Sequence, residues 1–189
     1  MANNREGLVQ HMRQWLGRQG IDANATLIGG VSGGLDSMVL AETLHRAGIN
    51  FHVAHVNYHL RGAASDADQA LVEEWCAARG IPCHVLNAQV DPTGHGVQAE
   101  ARKIRYTHFE QLRAEASDRQ GRPAYIVAAH HGDDQAETVA MRLARGSAVL
   151  GLSAIAAVRI YQGVLFVRPF LGLRKFDLIT VCKAYKAAG

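Results

Sequence analysis

The sequence predicts an α/β fold with a mainly parallel sheet flanked by helices on both faces. Three observations carry that expectation. Apolar runs of strand length alternate with stretches of helical spacing along most of the chain. A glycine-rich turn, Ser32-Gly33-Gly34-Leu35-Asp36-Ser37, stands where the first such run passes into a helix. Two further polar segments, HVNYHLRG (55–62) and HHGDDQAET (131 at its second histidine), each follow a predicted strand. Ligands of parallel sheets bind beyond the carboxyl ends of the strands, so the three segments are expected to face one crevice.

Arg5 to Arg18 carries Leu8, Met12 and Trp15 at helical intervals and reads as an opening helix. Thr26 to Val31 is the first strand, although Ile28-Gly29-Gly30-Val31 is glycine-rich enough to loosen or bulge it. Asp36 to Ala47 is the helix behind the turn, ended by Gly48, and Asn50 to Val56 the second strand. Ser65-Asp66-x-Asp68 is expected to cap a helix running to about Arg79, with Leu71, Val72, Trp75 and Cys76 inward. Cys83 to Leu86 gives a third strand, and Gln89 to Gly96 has the composition of a mobile loop. Val97 to about Arg119 is a long charged helix with Ala101, Ile104, Phe109 and Leu112 as core positions. Pro123 to Ala129 is a fourth strand and Asp133 to Ala144 a helix. Ile155 to Tyr161 and Val164 to Phe170 form a hairpin or a strand with a return, and Lys175 to Ala187 a closing helix.

At 189 residues one domain, 1–189, is the default, long enough to bury a core. Net charge is +3, too small by itself to imply a nucleic-acid partner, and the ten histidines add charge only below neutrality. No apolar run approaches the roughly 20 residues that span a membrane, and the polar N-terminus is no signal peptide. Cys76, Cys83 and Cys182 form no Cys-x-x-Cys and cannot all pair, which fits a reduced cytoplasmic setting.

The turn at Ser32–Ser37 looks built for phosphates. Glycines let the backbone approach an anion, and the following helix offers free N–H groups and the positive end of its dipole. It is not a Walker A loop: Gly29 and Gly34 have the right separation, but Leu35 stands where the lysine belongs. Val31 interrupts any dinucleotide Gly-x-Gly-x-x-Gly. The bland alternative is a turn with no ligand.

In the segment after the fourth strand, Asp133 and Glu137 are four apart and Asp134 and Glu137 three apart, so their carboxylates share a helix face. Such a cluster needs a cation, and Mg²⁺ with a triphosphate or the ammonium of an amino-acid substrate both suit it. Acids complementing a helix dipole would explain Asp133 and Asp134 but leave His130 and His131 idle. Arg102 and Arg105 lie roughly one turn apart beside Tyr106, a composition that grips phosphates and stacks bases, or else a solvated helix face. Arg61, in the loop after the second strand, reads either as a guanidinium near phosphate or nucleic acid or as part of a capped loop. Arg142, Arg145 and Arg168 add positive charge near the same predicted edge, suggesting an anionic substrate larger than ATP.

SGGLDS is similar to the PP-loop of ATP pyrophosphatases. With HVNYHLRG, SDAD, EARKIRY, AHHGDDQAET, MRLARGSAVLGLSAI and VRPFL in order, nearly the whole chain resembles the tRNA(Ile)-lysidine synthetases. That resemblance implies a PP-loop, adenine nucleotide α-hydrolase-like fold and an ATP-dependent ligase. The wobble cytidine of a CAU-anticodon tRNA(Ile) would be adenylated through its C2 oxygen, and free L-lysine would then displace AMP. It implies that Ser32, Gly33, Gly34, Leu35, Asp36 and Ser37 form the ATP-binding loop, with Asp36 supporting Mg²⁺. Asp133, Asp134 and Glu137 would orient lysine or metal, and Arg102, Arg105 and Arg145 would neutralise phosphate or contact tRNA. Expected partners are tRNA(Ile), free lysine and, in a homodimer, a second copy of the chain, with no membrane. Members of that family continue into smaller tRNA-gripping C-terminal domains, whereas this sequence stops just after the helix that follows VRPFL. The competing readings are another PP-loop tRNA-modifying enzyme of thiolase type, whose chemistry normally needs paired cysteines, an amidating synthetase, and a non-catalytic ATP- or tRNA-binding module.

Overall fold

Strands of both-face burial form the centre of the structure, a computed structural model that describes residues 5–22, 24–90, 96–121, 123–144, 155–161 and 164–187. The elements are α1 (Arg5–Arg18), β1 (Thr26–Gly30), α2 (Leu35–Arg46), β2 (Phe51–Asn57), α3 (Ala63–Ala77) and β3 (Cys83–Asn87). They continue through α4 (Val97–Gln120), β4 (Ala124–Val127), α5 (Gly132–Ala144), β5 (Val158–Tyr161), β6 (Val164–Val167) and α6 (Lys175–Ala187). The six strands form one sheet in the order β3-β2-β1-β4-β6-β5. All pairings are parallel except that of β5 with β6, which is the expected hairpin, in register Val158 to Val167 and Tyr161 to Val164.

Alternation along each strand divides the core in two. Leu27, Val53, Val127 and Val167 face the side covered by α1, α2, α3 and α6, around Leu8, Met12, Leu40, Leu44, Val72 and Leu178. Their neighbours Ile28, Ala54, Ile126 and Phe166 face α4, whose Phe109, Leu112 and Ala116 close the other side. Ala101 and Ile104, expected in that core, are only half-buried. The predicted two-sided α/β architecture is thus the one formed.

Three local expectations differ. The glycine-rich first strand neither loosens nor bulges: Gly29 and Gly30 keep register with Val53 and Ala54 of β2. A β-carbon on Gly30 would lie 2.7 Å from the Phe109 ring, so the glycine admits α4 against the sheet. Helix α3 starts at Ala63, before the Ser65-Asp66-x-Asp68 stretch, because Gly62 turns the chain at φ 53 and no side chain caps it. Leu71 on that helix is 46% exposed instead of inward, while Val72 and Cys76 are buried. Most of the predicted loop 89–96 lies outside the described residues.

The chain runs outward from β1 to β2 and β3, then returns to place β4 on the other side of β1. This reversal opens a crevice between the ends of β1 and β4. The turns after both strands meet there.

Candidate active site

The turn after β1 is held from within. Ser37, buried on the first turn of α2, donates its hydroxyl to Gly34 O (2.8 Å) and accepts from Ser32 N (3.1 Å). The hydroxyls of Ser32 and Ser37 lie 3.2 Å apart. His55 of β2 fixes the preceding residue through Nδ1 and Val31 O at 2.8 Å. Gly33 needs its φ of +85, and a β-carbon there would meet Asp68 of α3 at 2.8 Å. Gly34 caps α2 with no side-chain hydrogen bond, so the helix presents its N-terminus outward, the arrangement that receives an anion.

A cavity of 250 Å³ lies over this turn. Gly30, Ser32, Gly34, Asp36 and Ser37 form its floor, Ala54, Val56 and Tyr58 one side, and Ala129, His130 and Asp134 the other. Arg105, Tyr106 and Phe109 of α4, with Phe166 and Arg168 of β6 and its end, close it. All three polar segments therefore converge, as the sequence led us to expect.

The acidic group is assembled differently from the predicted helix face. His131, 3% exposed, sits among three carboxylates: its Nε2 is 3.5 Å from Asp36 Oδ2, and its Nδ1 is 3.5 Å from Asp134 and 3.7 Å from Asp133. Asp134 also accepts the His131 N–H at 2.8 Å, an acid in the first turn reaching back to the helix start. Asp133 accepts the backbone N–H of Lys175 at the start of α6. Lys175 Nζ in turn approaches Asp36 Oδ2 at 3.6 Å. Glu137, one turn further along α5, is exposed and lines no part of the cavity.

Arg102 is exposed and lies over the Tyr106 ring at 4.7 Å outside the cavity, whereas Arg105 lines it. Leu35 belongs to the turn by its backbone, but its side chain lines a separate groove with Met38, Leu71 and Trp75. Arg145 lies outside the described residues, as does the Arg142 side chain. Arg61, read either way from the sequence, pairs with Asp68, the residue packed on Gly33. Sequence reasoning singled out neither Lys175 nor Tyr58 as a site residue, and it counted Arg168 only as added charge. Arg168, just after β6, belongs to the VRPFL segment, and Lys175 opens α6; both lie far along the chain from the glycine turn, and Lys175 belongs to none of the segments singled out.

Burial, reinforced by the nearby Arg168, holds the His130 pKa below its ordinary value. Its Nδ1 is buried without a hydrogen-bond partner, as is Oδ1 of Asp36. An unpaired carboxylate oxygen at the edge of a phosphate-sized turn suits Mg²⁺, which is commonly held by one or two carboxylates plus substrate phosphates. Among the described residues no three His, Cys, Asp or Glu side chains form a ready metal cluster, and that mode of Mg²⁺ binding needs none.

Fold and site together define an adenine nucleotide α-hydrolase-like α/β protein, with a glycine-rich turn opening a helix at its topological switch point. The chain belongs to the PP-loop family: a family model described as a PP-loop domain matches residues 6–188. It is 40% identical over 167 residues to the tRNA(Ile)-lysidine synthase of Bacillus licheniformis, covering 84% of this chain and 34% of that protein. It is 37% identical over 165 residues to the enzyme of the same name from Bacillus subtilis, with 84% and 34% covered. The chain thus spans about a third of the length of these relatives. Among solved structures it is similar to the U34-tRNA thiolase NcsA from Methanococcus maripaludis with its 4Fe-4S cluster. That match has a TM-score of 0.71 at 20% identity, over 96% of this chain and 63% of the other. The NH3-dependent NAD synthetase of Campylobacter jejuni matches with a TM-score of 0.63 at 14% identity, over 97% and 74%. These two likenesses establish the fold. No helix among the described residues is long and apolar enough to cross a membrane.

Proposed function

We propose that residues 1–189 are the catalytic, ATP-using domain of a cytoplasmic tRNA(Ile)-lysidine synthetase. The observation that carries this reading is the single cavity joining the phosphate-type turn, the His131-centred carboxylates and the arginines of α4 and β6. The relatives named for that activity support it.

On this reading the turn Ser32–Ser37 and the N-terminus of α2 hold the β and γ phosphates of ATP. The C2 oxygen of the wobble cytidine attacks the α-phosphorus, the bond to the β-phosphate oxygen breaks, and pyrophosphate leaves. Free lysine then attacks C2 of the adenylated base through its amino group, and AMP departs with the oxygen. Asp36, with Asp134 nearby, would hold Mg²⁺, which when bound neutralises charge on the phosphates. Lys175 and Arg105 add fixed positive charge where the transition state accumulates negative charge, the contribution that commonly dominates such transfers. Of the three α5 acids, Asp134 lines the cavity and would orient the lysine ammonium, whereas Asp133 is held by the Lys175 N–H and Glu137 stands outside the cavity. His130, kept neutral by burial, offers Nδ1 to the proton that the amino group must lose before attack.

A thiolase reading requires cysteines at the site. Cys76 and Cys83 lie on α3 and β3 and Cys182 on α6, and none lines the cavity.

The test uses α-phosphate-labelled ATP, Mg²⁺ and a CAU-anticodon tRNA(Ile), with and without lysine. Lysine-dependent release of AMP, with lysine retained on the RNA, is the expected result. Asp36→Asn should abolish it. AMP release indifferent to lysine, or unaffected by Asp36→Asn, would defeat the assignment.

A further inference from the structure

The side chain of Arg168 is anomalous for a buried cation. The residue is 4% exposed, follows β6 directly and lines the cavity. Its backbone is pinned by Arg168 N to Ala157 O (2.9 Å) and Leu171 N to Arg168 O (3.3 Å). Of its five N–H donors, Nη1 gives one to Ala156 O at 2.8 Å, the Tyr106 hydroxyl takes another, and Nε has no acceptor. Among the described residues no carboxylate pairs with it. The charged groups around it are Arg159 and Arg102, which repel it, and His130 stands close by. Burial, the stronger influence, and those arginines pull its pKa below the ordinary arginine value. Burying a guanidinium among like charges with a donor unused is costly unless an anion completes the site.

From this geometry we propose that Arg168, with Arg105 and Tyr106, forms a second phosphate subsite, separate from the Ser32–Ser37 turn, for a phosphodiester of the RNA strand beside the target base. Strand order sets the Arg168 backbone apart from the turn that receives the nucleotide's β and γ phosphates. β6 lies two strands from β1 in the sheet, about 10 Å away at ordinary strand spacing, with β4 between. Successive phosphates of one triphosphate are much closer together than that. The planar guanidinium fork matches two phosphate oxygens at once, and the Tyr106 hydroxyl that accepts from it helps fix its direction. Both arginines would then fix the strand's register, while the apolar wall of Val56, Phe109, Ile126 and Phe166 borders the reacting base. The inference rests on the RNA-modifying reading given above.

Two probes test it on the 189-residue chain at low salt. The first is α,β-methylene ATP with Mg²⁺, by calorimetry. The second is a CAU anticodon stem-loop, by fluorescence anisotropy across a salt series. For Arg168→Gln, nucleotide affinity should stay within about twofold, while RNA affinity falls at least about tenfold, as for other buried charge contacts. The log–log salt dependence should flatten by about 0.7, the value for one single-strand phosphate. Arg168→Lys should keep most of the salt slope and lose part of the affinity. Stem-loops carrying one neutral methylphosphonate at each position flanking the wobble cytidine need no protein variant. One of them should lose about tenfold on the parent protein and nothing further on Arg168→Gln.

RNA affinity and slope unchanged by Arg168→Gln would overturn the subsite, as would methylphosphonates without effect at every flanking position. A fall in nucleotide affinity matching that for RNA would assign the anion to ATP and overturn it as well. A parent chain that binds nucleotide but no stem-loop at any salt would overturn an RNA subsite on these residues while leaving the ATP-using reading intact, an outcome distinct from the others.

Discussion

Gly30→Ala is the sharpest test of how the two faces of the sheet are packed. Gly30 lies outside the left-handed region, so alanine brings no backbone strain there. Its new β-carbon would stand 2.7 Å from Cε2 and 2.9 Å from Cζ of Phe109. Carbons rest at about 3.5–4.0 Å, so the overlap is about 1 Å against a rigid ring. Phe109 is 5% exposed in the cluster of Ile28, Ala54, Leu112, Ile126 and Phe166, so its ring can yield only toward the cavity it borders, at the cost of that packing. Either α4 lifts or the ring strains, and overpacking of this kind costs about 1–3 kcal/mol. Phe109→Leu should destabilise by roughly 1 kcal/mol alone. It should also reduce the Gly30→Ala penalty to below about 0.5 kcal/mol, because contacting residues couple. Urea unfolding of the four proteins, with unchanged m-values, measures the cycle. A Gly30→Ala protein as stable as its parent, or an equal penalty in both backgrounds, would refute the reasoning.

Two further effects can be read by the same assay. The folded state holds His130 and His108 below 6.5, in both cases chiefly through burial. The unfolded chain therefore takes up protons first, so stability is complete above about pH 6.5 and declines as pH falls below it. His130→Gln should remove up to about 1.4 kcal/mol per pH unit of that slope, and an undiminished slope between pH 7.5 and 5 would count against it. Glu42 is 7% exposed and accepts from Arg46 Nε (2.6 Å) and Trp75 Nε1 (3.0 Å), with Arg79 Nε at 3.2 Å. Glu42→Ala, which strands these donors, should cost roughly 1–3 kcal/mol, and a change under about 0.5 kcal/mol would deny the network its structural role.

Local signals were legible where local physics decides. The glycine turn, the strands of uniform apolar burial and the closing hairpin were all readable because each is specified within a few residues. What depends on distant partners was not. Gly30 reads as a weak strand residue until Phe109 is seen against it. Ser65-Asp66-x-Asp68 has the composition of a helix start, yet Ser65 Oγ serves the N–H of Arg61 and Asp68 serves its guanidinium, both from the preceding turn. Helical periodicity put Glu137 with Asp133 and Asp134. In the folded chain the two first-turn acids bend back toward His131, and Asp36 from another strand's end completes the group. Leu71 looked internal, but α3 packs against β2 and β3 at the sheet's edge and leaves that side chain on a groove.

The position of β1 between β2 and β4 has a consequence for the nascent chain. Thr26 of β1 must wait for Ala124 before its second edge is paired, and β4 must wait for Phe166. Pairings so remote in sequence slow folding, and a chain made from its N-terminus exposes a glycine-containing strand edge throughout that interval. The half of the cavity built by β1 and β2 emerges early, while His130, Asp134 and Arg168 arrive late. A ribosome-bound intermediate would thus own a phosphate cradle long before it owns the groups proposed to act on what the cradle holds.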